Sequence, residues 1–133
     1  MRTYVVLAAG LIALSVGVMI AQTSIVTGDR STPLRPLAGT DNVGVSNAVL
    51  RDQPEVRALR VVVEPGGKRV MHAHNDVRFH LFVPITGAMT VDLDGGQSVE
   101  VPAWQPYYFQ AGTQHGFHNG SSSAVDIMEI FVR

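Results

Sequence analysis

The chain has 133 residues, enough for one domain but too short for two comfortable ones. Its formal net charge of −1 and the lack of any cluster of Lys or Arg argue against binding to DNA or RNA. It contains no cysteine, which excludes disulfide bonds, thiolate catalysis and a lipid-modified cysteine after a leader sequence.

The first 21 residues have the parts of a secretory signal peptide. Arg2 precedes an apolar run from Tyr4 to Ala21, and polar residues follow it. Cleavage after Ala21 fits this pattern, and so does cleavage after Gly17. An uncleaved anchor is the first alternative, because about 18 apolar residues nearly suffice to span a bilayer, and a buried helix is the second. We therefore predict a signal helix and an exported domain, periplasmic or secreted, that meets a membrane only through this segment if it stays uncleaved.

Residues 22–47 are rich in Thr, Ser, Gly and Pro, and are predicted to form an irregular N-terminal arm without a core of its own. Its few apolar residues could lie along the domain or along a partner subunit; they are Leu34, Leu37, Val43 and Val45.

The remaining residues, 48–133, form about eight short β-prone segments separated by turn residues. Pro65, Gly66 and Gly67 are expected to end the first of them. Because no segment after the signal shows helical periodicity, an all-β sandwich or barrel is expected. The predicted strands cover 56–64, 69–74, 79–85, 88–93, 97–101, 107–109, 114–118 and 124–132.

All five histidines lie between His72 and His118. His72 and His74 would point to the same face of a strand, since side chains alternate along it, and they form half of a metal site. The third ligand must come from a neighbouring strand, and His80 and His115 are the candidates. His118 lies three residues past His115 and is expected on the opposite face. Imidazole ligands indicate a transition metal without identifying it.

The first of two stretches with a characteristic spacing surrounds the His72–His74 pair. Five residues separate Gly66 from His72, and Gly87 closes the stretch. Counting back across six residues from Gly87 leads to His80.

In the second stretch Gly112 precedes His115 by three residues, and Asn119 follows it by four. Together the two stretches resemble the motifs of the cupin superfamily, small β-barrels of the jelly-roll (double-stranded β-helix) type. The family has glutamate where this chain has His80. In the second motif Gln110 replaces a proline, and Trp104 occupies the position of the opening glycine.

The resemblance implies that His72, His74 and His115 bind one divalent transition metal per chain, Fe, Mn, Ni, Cu or Zn, with His80 as the fourth ligand. Neutral imidazole in place of glutamate leaves the metal more positive, which favours an anionic substrate. Alternatively, the gap from His74 to His80, one residue longer than usual, turns His80 away. Three histidines and open coordination positions would then remain, as in cupin dioxygenases.

Several other side chains are candidates for substrate binding above the metal. Arg78 could bind a substrate carboxylate, since arginine suits such pairing. The aromatic candidates Phe82, Tyr108 and Phe117 could form a pocket for a planar ligand, although packing in the core and in a dimer interface is the favoured explanation. Glu129 lies within an apolar strand and could face the cavity or solvent.

We therefore expect an exported, metal-binding cupin, and in particular a metal-dependent oxygenase acting on a small enolisable or aromatic substrate. A non-redox isomerase or lyase is one alternative, and a non-catalytic module that binds a small molecule or a metal is another, since one fold hosts many functions. Consecutive apolar residues at 61–63 and 127–128 require cover on both strand faces, which predicts a homodimer.

Overall fold

The computed structural model of this chain describes residues 32–133. The predicted signal helix and the first part of the predicted arm lie outside the described residues. Within 32–133, no helix has the length and the apolar character needed to cross a membrane.

The described part of the chain is all-β, as the sequence predicted, and its strands are short apart from one. Turn residues separate them, and a 3-10 turn at Asp94–Gly96 joins the fifth strand to the sixth. The strands are β1 (Arg35–Pro36), β2 (Val43–Asp52), β3 (Val56–His72), β4 (Phe79–Pro84), β5 (Met89–Leu93), β6 (Gln97–Val101), β7 (Tyr107–Gln110), β8 (His115–His118) and β9 (Val125–Val132).

The strands pair antiparallel in the order β6-β5-β8-β3-β9-β4-β7, and β2 pairs with β3 and with β1. Because side chains alternate across a strand, one residue in two faces the barrel interior. These inward residues form one apolar core, in which a fully buried side chain contributes about 1.5–3 kcal/mol of transfer free energy. The core includes Val63, Phe82, Met89, Val91, Val101, Phe109, Phe117, Val125, Ile127 and Phe131.

Strand β3 corrects the prediction that Pro65, Gly66 and Gly67 end a strand. It runs through them, because Gly66 adopts a left-handed φ of 71° that bends the strand without breaking its pairing. The backbone N–H of Gly66 donates to the Asn119 carbonyl at 2.9 Å, and the N–H of Asn119 donates to the Gly67 carbonyl at 2.9 Å. Before the bend β3 pairs with β9, and beyond it β3 pairs with β8.

Strand β2 begins inside the segment that was expected to be irregular. Val45 is 4% exposed and lies opposite Val63, so burial of its side chain draws the chain into the sheet. Leu37 also donates its backbone N–H to the Val45 carbonyl at 2.8 Å. The expected arm therefore joins the sheet through β1, which pairs with β2, and from Val43 onward through β2 itself, whereas Leu34 stays exposed.

Trp104, at the position where the second motif of the resemblance opens with glycine, adopts a left-handed backbone conformation. Its φ is 65°, the only positive value at a non-glycine residue within 32–133, and its side chain is 72% exposed. This conformation costs about 1–2 kcal/mol for an L-residue with a Cβ.

Asn119 ties the end of β8 to the bend in β3. Its side chain is 1% exposed, and its Nδ2 donates to the carbonyls of Val63 at 3.0 Å and Ser123 at 2.8 Å. Its Oδ1 accepts from the Ser121 hydroxyl at 2.7 Å. The side chain therefore links two segments by hydrogen bonds, β3 and the loop that contains Ser121 and Ser123.

Replacing Asn119 by alanine should destabilise the protein, because buried carbonyls lose their donor, at about 1–3 kcal/mol for each group left unsatisfied. Urea denaturation followed by far-UV circular dichroism measures the change. Ser122→Ala, at an exposed neighbour, is the control and should leave the free energy of unfolding within about 0.5 kcal/mol of the wild type. Equal stability of the two variants would contradict this account.

Candidate metal centre

A β-bulge brings the first and second histidine motifs together. In the β3–β8 pairing Arg69 lies opposite Phe117 and His72 lies opposite His115, so three steps along β3 match two along β8. The extra residue lies between Arg69 and His72 and restores the inward direction of the His72 side chain. Cross-strand partners share a face, and His115 is 1% exposed, so both imidazoles lie inside the barrel.

His72, His74 and His115 converge. One potential ligand nitrogen from each lies within 4.8 Å of the other two. The ring centroids are 4.5 Å apart for His72 and His115 and 4.9 Å apart for His72 and His74. His74 lies two residues past the end of β3, so the two histidines of the pair approach the cluster from a strand and from a loop.

Hydrogen bonds orient the ring nitrogens toward the centre of this cluster. His72 donates from Nδ1 to the Val70 carbonyl, and His115 donates from Nδ1 to the Thr113 carbonyl, both at 2.9 Å. This tautomer leaves the Nε2 lone pair free. Within 32–133 the buried Nε2 atoms of His74 and His115 have no hydrogen-bond partner. Since buried polar atoms are rarely unsatisfied, the three histidines fit one transition-metal ion, which would give these lone pairs an acceptor.

Burial keeps the cluster neutral. Desolvation lowers the pKa of His74 and of His115 to about 4, and the proximity of the other histidines adds to the shift. Burial also lowers the pKa of His72. At neutral pH the imidazoles are therefore unprotonated, which is the form that binds a metal.

His80 points into the barrel, as its register from Gly87 predicted, and is 1% exposed. Its ring is stacked between those of Phe131, at a centroid distance of 4.5 Å, and Phe109, at 5.0 Å. The His80 centroid lies 5.1 Å from that of His74. His80 does not belong to the group of three converging nitrogens, and its Nε2 lies instead 3.6 Å from Oε1 of Glu129.

Glu129 faces the interior of the barrel. The sequence left open whether this side chain faces the cavity or solvent. It lies opposite Leu59 on one side and Phe82 on the other, both buried, and is 6% exposed. Burial by itself would raise the pKa of Glu129, but His80 and the neighbouring His74 hold it below the usual value. The alternation of apolar residues at 125, 127 and 131 already placed position 129 on the inner face, and this signal could have identified it.

A cavity of about 190 Å³ opens beside the cluster and is bounded by β2, β3 and β9. Its wall is mixed polar and apolar and carries His72, His74 and Glu129, together with Arg69, which the sequence analysis did not select. The other lining residues are Leu37, Val45, Asn47, Arg57, Leu59, Val61, Asp76, Val77, Phe117, Phe131 and Arg133.

The predicted substrate-binding residues are dispersed. Phe117 lines the cavity, whereas Phe82 is fully buried in the core. Tyr108 is 53% exposed on the outer side of β7, and Arg78 is exposed in the loop before β4. Neither Tyr108 nor Arg78 lines this cavity, so a role for them in binding stays a prediction.

His118 lies outside the barrel, as expected from its spacing. In the β3–β8 register it lies opposite Lys68, one position from Arg69 and Phe117. Those two side chains face inward, so His118 and Lys68 face outward. Its Nδ1 lies 2.9 Å from Oδ2 of Asp92. It takes no part in the converging group.

The sequence profile of the cupin domain family matches residues 59–131, more than half of the chain. The chain belongs to the cupin domain family. The match spans both histidine motifs and most of the barrel, so the three-histidine cluster of this cupin, which could bind one metal ion, lies where the two motifs meet.

Solved structures of similar fold include enzymes and uncharacterised proteins. The polyketide cyclase RemF from Streptomyces resistomycificus has a TM-score of 0.67 and 20% identity, with 77% of this chain and 74% of that chain covered. KdgF from a Halomonas species has a TM-score of 0.64 and 16% identity, with 79% and 90% covered. A predicted oxalate decarboxylase from Thermotoga maritima has a TM-score of 0.60 and 18% identity, with 66% and 79% covered. No curated protein matches the sequence. These likenesses establish the barrel fold.

One metal ion per chain should bind to this cupin, and His115→Ala should weaken binding by about 100-fold or more, because loss even of groups that only support a ligand costs 10–100-fold. Titration of the metal-free protein with Co²⁺, followed by visible absorbance, measures the affinity. His118→Ala is the matched control and should bind as the wild type does. The assignment would be wrong if both variants lost affinity equally.

In chelator-treated protein the free energy of unfolding should fall as the pH decreases from about 6.5 to about 4. His115 has a folded pKa of about 4 against an ordinary value of 6.5, so in this window the unfolded chain binds more protons. Stability is therefore highest above this window, and His115 steepens its loss by up to about 1.4 kcal/mol per pH unit. Urea denaturation of the wild type and His115→Gln across this range tests the effect. The variant should show a shallower pH dependence, and identical slopes would refute it.

Proposed function

We propose that this cupin is a metal-dependent oxygenase that acts on a small enolisable or aromatic substrate. The observation that supports it is the convergence of three neutral imidazoles, one buried and two half-buried, beside a partly open cavity that carries both polar and apolar side chains. His72, His74 and His115 would hold one divalent transition metal, and three protein ligands leave positions free for other ligands. The bound metal would supply Lewis acidity and, if redox-active, an electron route to dioxygen.

Glu129 is the group best placed to accept a proton from the substrate. It lines the same cavity as His72 and His74, and the carboxylate is ionised at neutral pH, which is the form that accepts a proton. His80 lies 3.6 Å from its carboxylate and is itself fixed between two phenyl rings. We infer that His80 orients Glu129, and a direct role of His80 as fourth metal ligand is the alternative.

The cavity restricts the size of the substrate. A volume of about 190 Å³ suits a single ring or a short chain, since a dry protein cavity of about 150 Å³ accommodates benzene. Leu59, Val61 and Phe117 form the apolar part of the wall, against which the ring or chain of a substrate can pack.

A second candidate function is a non-redox isomerase or lyase, and Glu129 is the observation that favours it. A buried carboxylate beside a Lewis-acidic metal can move a proton on a substrate without any oxidant. Proton removal is common to both functions, and only the entry of dioxygen separates them. A module that binds a small molecule without turnover is the third outcome.

Metal-loaded protein separates these three functions. Oxygen uptake is measured with small β-diketones and single-ring phenols after loading with Fe²⁺, Mn²⁺, Ni²⁺, Cu²⁺ or Zn²⁺ in turn. Hydrogen–deuterium exchange at the substrate α-carbon is followed by NMR in anaerobic D₂O. Uptake with a redox-active metal supports the oxygenase. Exchange without uptake supports the isomerase or lyase, and binding with neither supports the module.

Glu129→Gln should reduce turnover, or α-carbon exchange, by about 10²–10⁴-fold, because it removes the proton acceptor while preserving the shape of the side chain. Metal content should stay at one ion per chain. Glu100→Gln, at an exposed site on β6, is the matched control and should keep full activity. Unchanged activity in Glu129→Gln would remove Glu129 from the mechanism.

Export and a homodimer remain proposals that come from the sequence. The apolar run before residue 22 supports a location outside the cytoplasm. Exposed apolar side chains on β2 and β9, including Val43, Val49 and Met128, offer a surface for a second copy of the chain. Cell fractionation and light scattering test the two proposals separately.

A further inference from the structure

The cavity wall carries a positive charge that the protein itself does not neutralise. Arg69 lies opposite Phe117 in the β3–β8 pairing, and because cross-strand partners share a face, its side chain is directed inward. It lines the cavity together with His72, His74 and Glu129. The guanidinium is half-buried, and within 32–133 it forms neither an ion pair nor a side-chain hydrogen bond.

The two other arginines of the cavity differ from Arg69 in this respect. Arg57 lies 3.7 Å from a carboxylate oxygen of Asp52, and Arg133 lies 3.0 Å from the other oxygen. One carboxylate therefore compensates both at their end of the cavity. Arg69 has no such partner at the histidine end.

An unpaired charge at a half-buried site is unfavourable unless a ligand compensates it. Burial lowers the pKa of Arg69, and the charge of Glu129 opposes this shift only in part, with no ion pair between them. Glu129 is itself paired with His80 at 3.6 Å. Arginine stays protonated in proteins, so the guanidinium, which has no ion-pair partner among the described residues, is available to an anionic ligand.

We propose that Arg69 binds the carboxylate of a small carboxylic acid whose other end reaches the cluster of His72, His74 and His115. This proposal rests on the proposed function, and it identifies the substrate class of that site. The planar guanidinium fork matches a carboxylate in two parallel hydrogen bonds. The positive charge of Arg69 also offsets the repulsion that Glu129 exerts on an anionic substrate in the same cavity. The cavity volume of about 190 Å³ limits the acid to a short chain or one ring.

The test uses benzoate and benzamide, which have nearly the same shape and differ in charge. Their affinities for the full-length, Zn²⁺-loaded protein are measured by isothermal titration calorimetry, so the readout does not depend on turnover. We expect the wild type to bind benzoate about tenfold or more tightly than benzamide. Arg69→Gln should reduce this preference to about onefold, and Arg69→Lys should retain part of it, since it keeps the charge without the fork. Arg51→Gln, at an exposed site on β2, should retain all of it.

Several results would overturn the proposal. One is a preference for benzoate that persists in Arg69→Gln, and another is a preference lost only in Arg78→Gln. Inorganic phosphate that competes as well as benzoate would show a general oxyanion site instead of a carboxylate site. Metal content is measured on each sample. A wild type that binds no metal would refute the proposed function, whereas a metal-loaded wild type without a preference for benzoate would refute the role of Arg69 alone.

Discussion

The site depends on one feature of the sheet, the double pairing of strand β3. Its first half pairs with β9 and its second half with β8, and the change of partner takes place at the bend around Gly66. β9 contributes Glu129, β8 contributes His115, and the end of β3 leads into the histidine pair. Asn119 fixes the bend from the opposite strand through buried hydrogen bonds. Without this change of pairing partner, the histidine cluster and the carboxylate of Glu129 would not lie side by side.

The barrel interior contains a group of polar side chains around the histidine cluster. Imidazoles, a carboxylate and a guanidinium lie among phenyl rings and aliphatic side chains, where unpaired polar groups are costly. Part of that cost is offset inside the protein, because His80 pairs with Glu129 and backbone carbonyls accept from His72 and His115. The Nε2 atoms of His74 and His115 and the guanidinium of Arg69 have no such partner among the described residues. The Nε2 lone pairs can bind a cation, and the guanidinium can bind an anion. A metal and a carboxylate-bearing ligand would satisfy both.

His80 illustrates how a substituted motif residue can keep its place and change its contacts. In the family a glutamate occupies this position of the first motif. Here an imidazole is stacked between Phe109 and Phe131, and it is directed at Glu129 from the neighbouring strand. In this chain the carboxylate nearest His80 is therefore that of Glu129 on β9, which lines the cavity, whereas position 80 on β4 carries an imidazole. This exchange explains why the carboxylate was harder to recognise in the sequence than the histidines.

The sequence by itself determined the fold class, the histidines of the centre and the inward direction of His80, because strand alternation and motif spacing are local properties of a chain. It was wrong about the end of β3, since the glycine at position 66 bends a strand whose pairing is decided by Asn119, more than fifty residues away. Only the tertiary structure decided that Arg69 and Glu129 share a cavity with the metal cluster while Arg78 does not. Those placements depend on a bulge and on which strands become neighbours, and neither is encoded in the spacing of nearby residues.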